Sequence, residues 1–415
     1  MTATRATAVG RRAVVLLGAV LAVLFASAST SAQAELVQPA PVQPAPAQAT
    51  TAQATTAQTS PARSGPEARA AELVAAMPTS AQAASVIMGH IPSTDPTALR
   101  AYMAQGFGGF LLMGANIPTT LQELAGLSAA LVLDSALPPL IAVDQEGGLV
   151  SRLAGDVYAA STTLKALPVD ETSIAFTGRG ALVAQAGITV DFGTIADVTA
   201  DPGSFIFGRA LGTDPQSSAD RVAAATVAQE QFLASTLKHF PGHGAAPGDS
   251  HHAIPSTEKS LEEWRTSDAL PFAAGIDAGA SLLMFGHLSY TAVDSAPASL
   301  SPAWHRIARE DLGFDGVIVT DDLGMLLSSG ISAYSDPVAN GVSALAAGSD
   351  LLLMVAGSTP ETAGQMAAGI TAAVQSGALP AERLADAATR VLALRLSASA
   401  ASAEWTVCPT CTPAG

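Results

Sequence analysis

Cysteine is nearly absent from this sequence: the only two, Cys408 and Cys411, stand in a C-P-T-C run at its C-terminal end. Two thiols are too few for a zinc site of their own. A thioredoxin-like role needs such a pair at a helix start within a βαβ unit, so the run reads as a tail feature able to close a small disulfide in an oxidising compartment. Charge is also scarce. Asp, Glu, Lys and Arg make up 13% of the residues, about half the usual share. Lys and Arg number 19 against 35 Asp and Glu, a formal net charge of −16. Phosphate backbones are bound by clusters of basic side chains, so this balance argues against a nucleic-acid partner. The acidity reads as what keeps a low-charge surface soluble. Long apolar runs are missing too. The candidate, Ala13 to Ala28, falls short of the roughly 20 residues that cross a bilayer.

That run instead fits an export signal. Arg5, Arg11 and Arg12 precede it and Ala32-Gln33-Ala34 supplies a small-residue cleavage site, giving residues 1–34 as a signal peptide. No cysteine lies there to carry a lipid. The expected product is secreted or wall-associated, with no stable membrane insertion after cleavage. Residues 35–67 are almost wholly Ala, Pro, Gln, Thr and Ser, with repeats such as QPAPVQPAPAQ. They cannot bury a core and are expected to be a disordered linker.

From 68 to 398 the pattern changes, and 399–415 is left as the tail. Eight short apolar runs read as strands: Ser85–Ile91, Gly108–Gly114, Pro139–Gln145, Thr189–Val198, Thr236–His239, Ser281–Leu288, Asp315–Asp321 and Asp350–Val355. Helical stretches separate most of them, among them Leu121–Leu133, Thr172–Gly187, Gln216–Ala234, Leu261–Ala278 and Pro337–Ala347. Continuous apolar strands alternating with helices predict a parallel sheet covered on both faces. Eight such units predict one (β/α)8 TIM barrel of the α/β class. No glycine-rich dinucleotide turn follows the first strand, which argues against a doubly wound open sheet.

Strand after strand then ends in polar residues: Asp144-Gln145-Glu146, Asp197, Lys238-His239, His287 and Asp321-Asp322. In a TIM barrel such ends form the active site. Five of the seven histidines fall between 239 and 252 or at 287, yet neither H-E-x-x-H nor a helical i, i+4 pair occurs among them, which argues against metal. Gly and Pro in that segment indicate a mobile loop carrying catalytic groups. Within it Asp249-x-His251 sets a carboxylate beside an imidazole that can give and take a proton near neutral pH. A carboxylate at Asp321 or Asp322 can attack an anomeric carbon. Strand periodicity puts the two on opposite faces without choosing between them.

The segments DQEGGLVSRL (144–153), GITVDFGTIADV (187–198), KHFPGHGAAPGDSH (238–251) and GVIVTDDLGM (316–325) resemble the β-N-acetylglucosaminidases of glycoside hydrolase family 3. The likeness spans roughly residues 68 to 396. It implies that Asp321, directly after Thr320, is the nucleophile, that His251 is the acid/base and that Asp249 is its partner. It also implies that Asp144, Arg152, Arg209, Lys238 and His239 bind the sugar. No metal or cofactor is implied. Substrates would be N-acetylglucosamine-containing oligosaccharides or muropeptides, cleaved by a monomer with retention of configuration. A phosphorylase using the same residues, or a non-catalytic sugar-binding barrel, would be the rivals. The family usually has Arg where Leu149 stands and Gly-Asp where Phe207-Gly208 stand; both departures bear on loop packing and aglycone preference.

Overall fold

The computed structural model describes residues 65–404. The expected signal peptide, most of the expected linker, and Cys408 and Cys411 lie outside them. Eight of the ten strands among the described residues form one sheet: β1 (Ile87–Gly89), β2 (Gly109–Leu112), β3 (Leu140–Val143), β4 (Val190–Ile195), β5 (Ala234–Phe240), β6 (Leu282–Phe285), β7 (Val317–Thr320) and β8 (Leu352–Leu353). Each pairs in parallel with the next from β1 to β7, and β8 pairs back onto β1 through Ile87–Leu352 and Met88–Leu353. Backbone bonds from Asp350 N–H to Ile318 O (2.8 Å) and from Thr320 N–H to Leu351 O (3.0 Å) join β7 to β8 and complete the ring. This is the predicted (β/α)8 barrel.

The strand runs are apolar on both faces because both faces are buried, and the core separates accordingly. Met88, Leu111, Ala142, Phe192, Met284, Val317 and Val319 pack together inside the ring. The alternate residues Ile87, Phe110, Leu112, Ile141 and Val143 pack outward against helices, as Leu283, Phe285 and Ile318 do on the other side of the barrel. Strand alternation thus survives inside an unbroken hydrophobic run.

Helix starts follow local chemistry. Asp95, Ser301, Asp214 and Asp336 each accept a backbone N–H from the first turn with their side chains, and each precedes a proline at the first helical position, where a missing N–H costs nothing. The helices Pro96–Met103 and Pro302–Arg306 carry this signature but too few periodic residues to stand out by pattern. The single helix expected over Leu261–Ala278 is in fact two, Leu261–Arg265 and Ala269–Asp277. The Thr266 and Ser267 hydroxyls bond back to Glu263 O at 3.1 and 2.6 Å, ending the first helix; such local bonds compete with helix propagation. The last helix begins at Ala381, as expected, runs to Glu404 and packs against an N-terminal helix, Gly65–Ala76.

Candidate active site

The C-terminal strand ends surround a cavity of about 250 Å³. Asp144, Arg152, Arg209, Lys238, His239, His251 and Asp321 all line it, from the ends of β3, β4, β5 and β7 or the loops that follow them, and Asp249 joins it through His251. The structure therefore brings every nominated residue to one place. A larger hollow of about 430 Å³ lies between helices Thr79–Ser85 and Thr362–Ser376. Its lining, which includes Ala84, Phe107 and Ala368, contains no titratable side chain, so the chemistry belongs to the barrel mouth.

The floor is a buried chain of alternating charge. Lys238 Nζ donates to Asp144 Oδ1 (2.7 Å) and also contacts Glu146 Oε1 (2.8 Å). Arg209 grips Glu146 in a two-pronged pair, Nε to Oε2 at 2.9 Å and Nη2 to Oε1 at 2.7 Å. Burial alone would raise the Glu146 carboxyl, but the Lys238 and Arg209 charges and their hydrogen bonds outweigh it and bring it down to about 2. Burial likewise opposes the Lys238 ammonium, and Asp144 with Glu146 reverses this and raises it. Glu146 lies inside the DQEGGLVSRL run but is not among the residues to which the resemblance gives a role; here it holds two of the expected sugar ligands.

The rest of that run folds the loop. Gln145 Oε1 accepts the N–H groups of Arg152 (2.7 Å) and Leu153 (2.9 Å), while its amide donates to Ser151 and Asp156. Gly147 has φ +83°, and a Cβ there would lie 2.1 Å from Arg179 Nη2, so only glycine fits between loop and buried guanidinium. Arg152 is thereby presented at the cavity with no ion-pair partner among the described residues. Leu149, at the tip of the turn, is 73% exposed.

Asp197, which ends the run after β4, is fully buried. Its Oδ1 accepts the backbone N–H of His239 (3.2 Å) and of His243 (2.6 Å), and its Oδ2 meets His239 Nδ1 at 2.7 Å. Burial opposes the Asp197 carboxylate, but His239 and His243 more than compensate and lower it. His243 packs edge-on to Phe205, 4.6 Å between ring centres, and Phe205 lines the cavity. Burial brings the His243 imidazole down to about 4. His287 turns both ring nitrogens inward, to Ser299 Oγ (2.7 Å) and to Asp322 O (2.9 Å). The histidines thus face different partners, and among the described residues no group of His, Cys, Asp and Glu is arranged to hold a metal ion.

Geometry separates the two aspartates after β7. Asp322 Oδ1 accepts the N–H of Gly324 (2.9 Å) and of Val355 (2.8 Å), and Oδ2 that of Ala356 (2.8 Å), so the side chain caps helix Leu323–Ser328 and ties it to the loop after β8. Burial pushes its carboxyl up to about 6 against the pull of those amides. Asp321 accepts only one hydrogen bond, from Asp322 N–H to Oδ1 at 2.8 Å, among the described residues, leaving Oδ2 to the cavity. Burial would raise the Asp321 carboxyl, but His239, His287, the Asp322 amide and Lys238 hold it below its ordinary value. It is an ionised, underused carboxylate at the end of a rigid strand.

The Asp249–His251 pair sits above this floor on the loop after β5. Asp249 Oδ1 accepts the His251 backbone N–H at 3.0 Å and meets Nδ1 at 2.5 Å. The side chains are 39% and 58% exposed, so the pair is held by its own loop rather than by packing. Nδ1 engaged with the carboxylate leaves Nε2 as the nitrogen available for proton transfer.

A buried carboxylate–cation floor, a strand-end carboxylate and a loop imidazole at the mouth of a (β/α)8 barrel define a glycosidase-type site. The sequence matches the model of the family described as "Glycosyl hydrolase family 3 N terminal domain" over residues 89–394, and the chain belongs to glycoside hydrolase family 3. A β-hexosaminidase of Methylococcus capsulatus is 34% identical over 262 residues, 61% of this chain and 76% of that protein. One from Pseudomonas aeruginosa is 37% identical over 259 residues, covering 60% and 74%. Among solved structures, a family 3 β-N-acetylglucosaminidase from Paenibacillus sp. FPU-7 superposes with a TM-score of 0.73 at 28% identity, covering 81% of this chain and 65% of that one. A β-N-acetylhexosaminidase from Beutenbergia cavernae gives 0.68 at 29% identity, covering 77% and 98%. The chain is a glycosidase.

Proposed function

We propose that this glycosidase is a β-N-acetylhexosaminidase that releases terminal, non-reducing β-N-acetylglucosamine with retention of configuration. Asp321 attacks the anomeric carbon and forms a glycosyl ester while His251 protonates the departing oxygen. Water then enters, gives its proton to His251, and its oxygen displaces Asp321 from the anomeric carbon. Asp249 steadies the imidazolium in each step. Asp144, Arg152, Arg209, Lys238 and His239 bind the sugar's hydroxyl and N-acetyl groups, and the ordered polar floor gives discrimination that shape alone does not. The observation that carries this reading is the unpaired Oδ2 of Asp321, facing the cavity that His251 also lines. The hexosaminidase names of the relatives support this choice of sugar. An exported enzyme of this kind acts on peptidoglycan fragments or chitin-type oligosaccharides, and the chain needs no metal or cofactor for the chemistry.

The test is turnover of 4-nitrophenyl N-acetyl-β-glucosaminide, with the first-formed sugar anomer read by proton NMR. The β-anomer is expected, and an α-anomer formed first overturns the double displacement. Asp321→Ala is expected to lower kcat about 10⁴-fold or more, as loss of a covalent nucleophile does. His251→Ala is expected to slow substrates with poor leaving groups far more than the nitrophenyl substrate. Equal losses on both would remove His251 from the acid role. Added inorganic phosphate is expected to give no sugar 1-phosphate, since Lys238 and Arg209 are already paired with carboxylates.

A further inference from the structure

We infer that Asp197 is a positioning residue that fixes His239 as the Nδ1–H tautomer, so that the Nε2 lone pair accepts from Arg209 and helps hold that sugar-binding guanidinium in place. The inference rests on the glycosidase reading of the cavity and adds a residue to it. Asp197 lies one layer behind the cavity and does not line it. Its two oxygens have distinct duties. Oδ1 accepts two backbone N–H groups, from His239 at 3.2 Å and His243 at 2.6 Å, which can only donate. Oδ2 faces His239 Nδ1 at 2.7 Å. A carboxylate is an acceptor at both atoms, so Nδ1 must carry the proton. On the opposite side of the ring, Nε2 lies 3.4 Å from Arg209 Nη2. A guanidinium has no acceptor, so Nε2 must present its lone pair. Two independent neighbours, one on each side, therefore require the same neutral tautomer.

This sorts the polar groups of the floor. Lys238 and Arg209 donate, Asp144 accepts, and the one Nε2 lone pair of His239 is taken by Arg209, so a sugar hydroxyl set among them can donate to Asp144 and accept from the cations. Were the His239 proton to move to Nε2, a donor would face the Arg209 donor, and the contact that helps hold the guanidinium would be lost.

Asp197→Asn probes this directly. The backbone N–H groups of His239 and His243 keep the Asn carbonyl oxygen where Oδ1 now sits, because the amide NH2 cannot accept them. The NH2 then falls at the Oδ2 position, facing His239 Nδ1, and forces the proton to Nε2. The first readout is the ¹⁵N spectrum of histidine-labelled, substrate-free enzyme near neutral pH, with the His239 signals assigned by their loss in His239→Ala. The wild type is expected to show Nδ1 protonated and Nε2 bare, and Asp197→Asn the reverse. A wild type protonated at Nε2 overturns the inference, as does an unchanged His239 spectrum in Asp197→Asn. The second readout is kinetic. Asp197→Asn is expected to lower kcat/KM on the order of 10²-fold, as loss of a supporting carboxylate does for other oriented imidazoles. In the His239→Ala background it is expected to change kcat/KM less than about twofold, since coupled residues are not additive. An undiminished loss there would mean that Asp197 serves only to hold the loop, and would overturn the assignment. The tautomer is read without substrate, so failure of the glycosidase reading would appear as absent turnover with the NMR result intact.

Discussion

Glu146 shows how much a single buried carboxylate can carry. It accepts from Lys238 and Arg209 together, and with Asp144 it balances two cations that would otherwise be unpaired in a low-dielectric floor. Glu146→Gln is expected to destabilise the fold by about 3–5 kcal/mol at neutral pH, the range for breaking a buried ion pair. The sign of the pH dependence follows from the depressed carboxyl. A group at about 2 in the folded state, and near 4.3 when unfolded, contributes fully above the unfolded value and loses that contribution as pH falls toward 2. The stability gap between wild type and Glu146→Gln is therefore expected to be widest above about pH 5 and to narrow on acidification. Urea unfolding midpoints at pH 7, 5 and 3.5 check this; a gap that widens toward pH 3.5 would contradict the ion-pair account.

At the scale of elements, the site is built where strands stop and loops must find hydrogen bonds. The turn after β7 is the clearest case. Asp322 caps the short helix Leu323–Ser328 and bonds the Val355 and Ala356 amides beyond β8, so one side chain joins the last two strand ends. Asp321, one residue earlier, makes no such link. Asp322→Ala is accordingly expected to cost about 3 kcal/mol, from three charge-assisted bonds to backbone N–H groups. Asp321→Ala should leave thermal stability near that of the wild type while removing activity. Melting curves of the two variants separate the roles, and comparable losses of Tm would show Asp321 to be structural as well.

At the scale of the whole molecule, the barrel's two ends divide the labour. Opposite the cavity, at the start of β8, fully buried Asp350 accepts from Arg309 Nη2 (2.5 Å), from Arg383 Nη2 (2.6 Å) and from the Ile318 N–H (2.9 Å). This clamp ties β7 and β8 to the last helix. It lies on the face where TIM barrels keep stability rather than catalysis. Asp350→Ala is expected to lower unfolding free energy by about 3–5 kcal/mol, with kcat of the folded fraction unchanged. Denaturant unfolding alongside active-site titration checks it; a fall in kcat at full folding would tie this end to the chemistry.

The order of the eight strands and the placing of polar residues at their ends were legible in the amino-acid order, because a strand buried on both faces must be apolar throughout and must turn polar where it surfaces. Caps such as Asp214-Pro215 and Asp336-Pro337 were legible for the same local reason. The sequence could not part Asp321 from Asp322, because adjacent residues of one type have the same local chemistry. Their roles depend on which amides of a loop 33 and 34 residues away are within reach. Nor could it give Glu146 or Asp197 a task, since their partners stand 42 to 92 residues along the chain (92 being 238 minus 146). Local composition determines which segments can be strand, helix or turn; only closure of the ring brings distant charges within 3 Å, and at that range Coulomb and hydrogen-bond terms decide which carboxylate is structural and which is free to react.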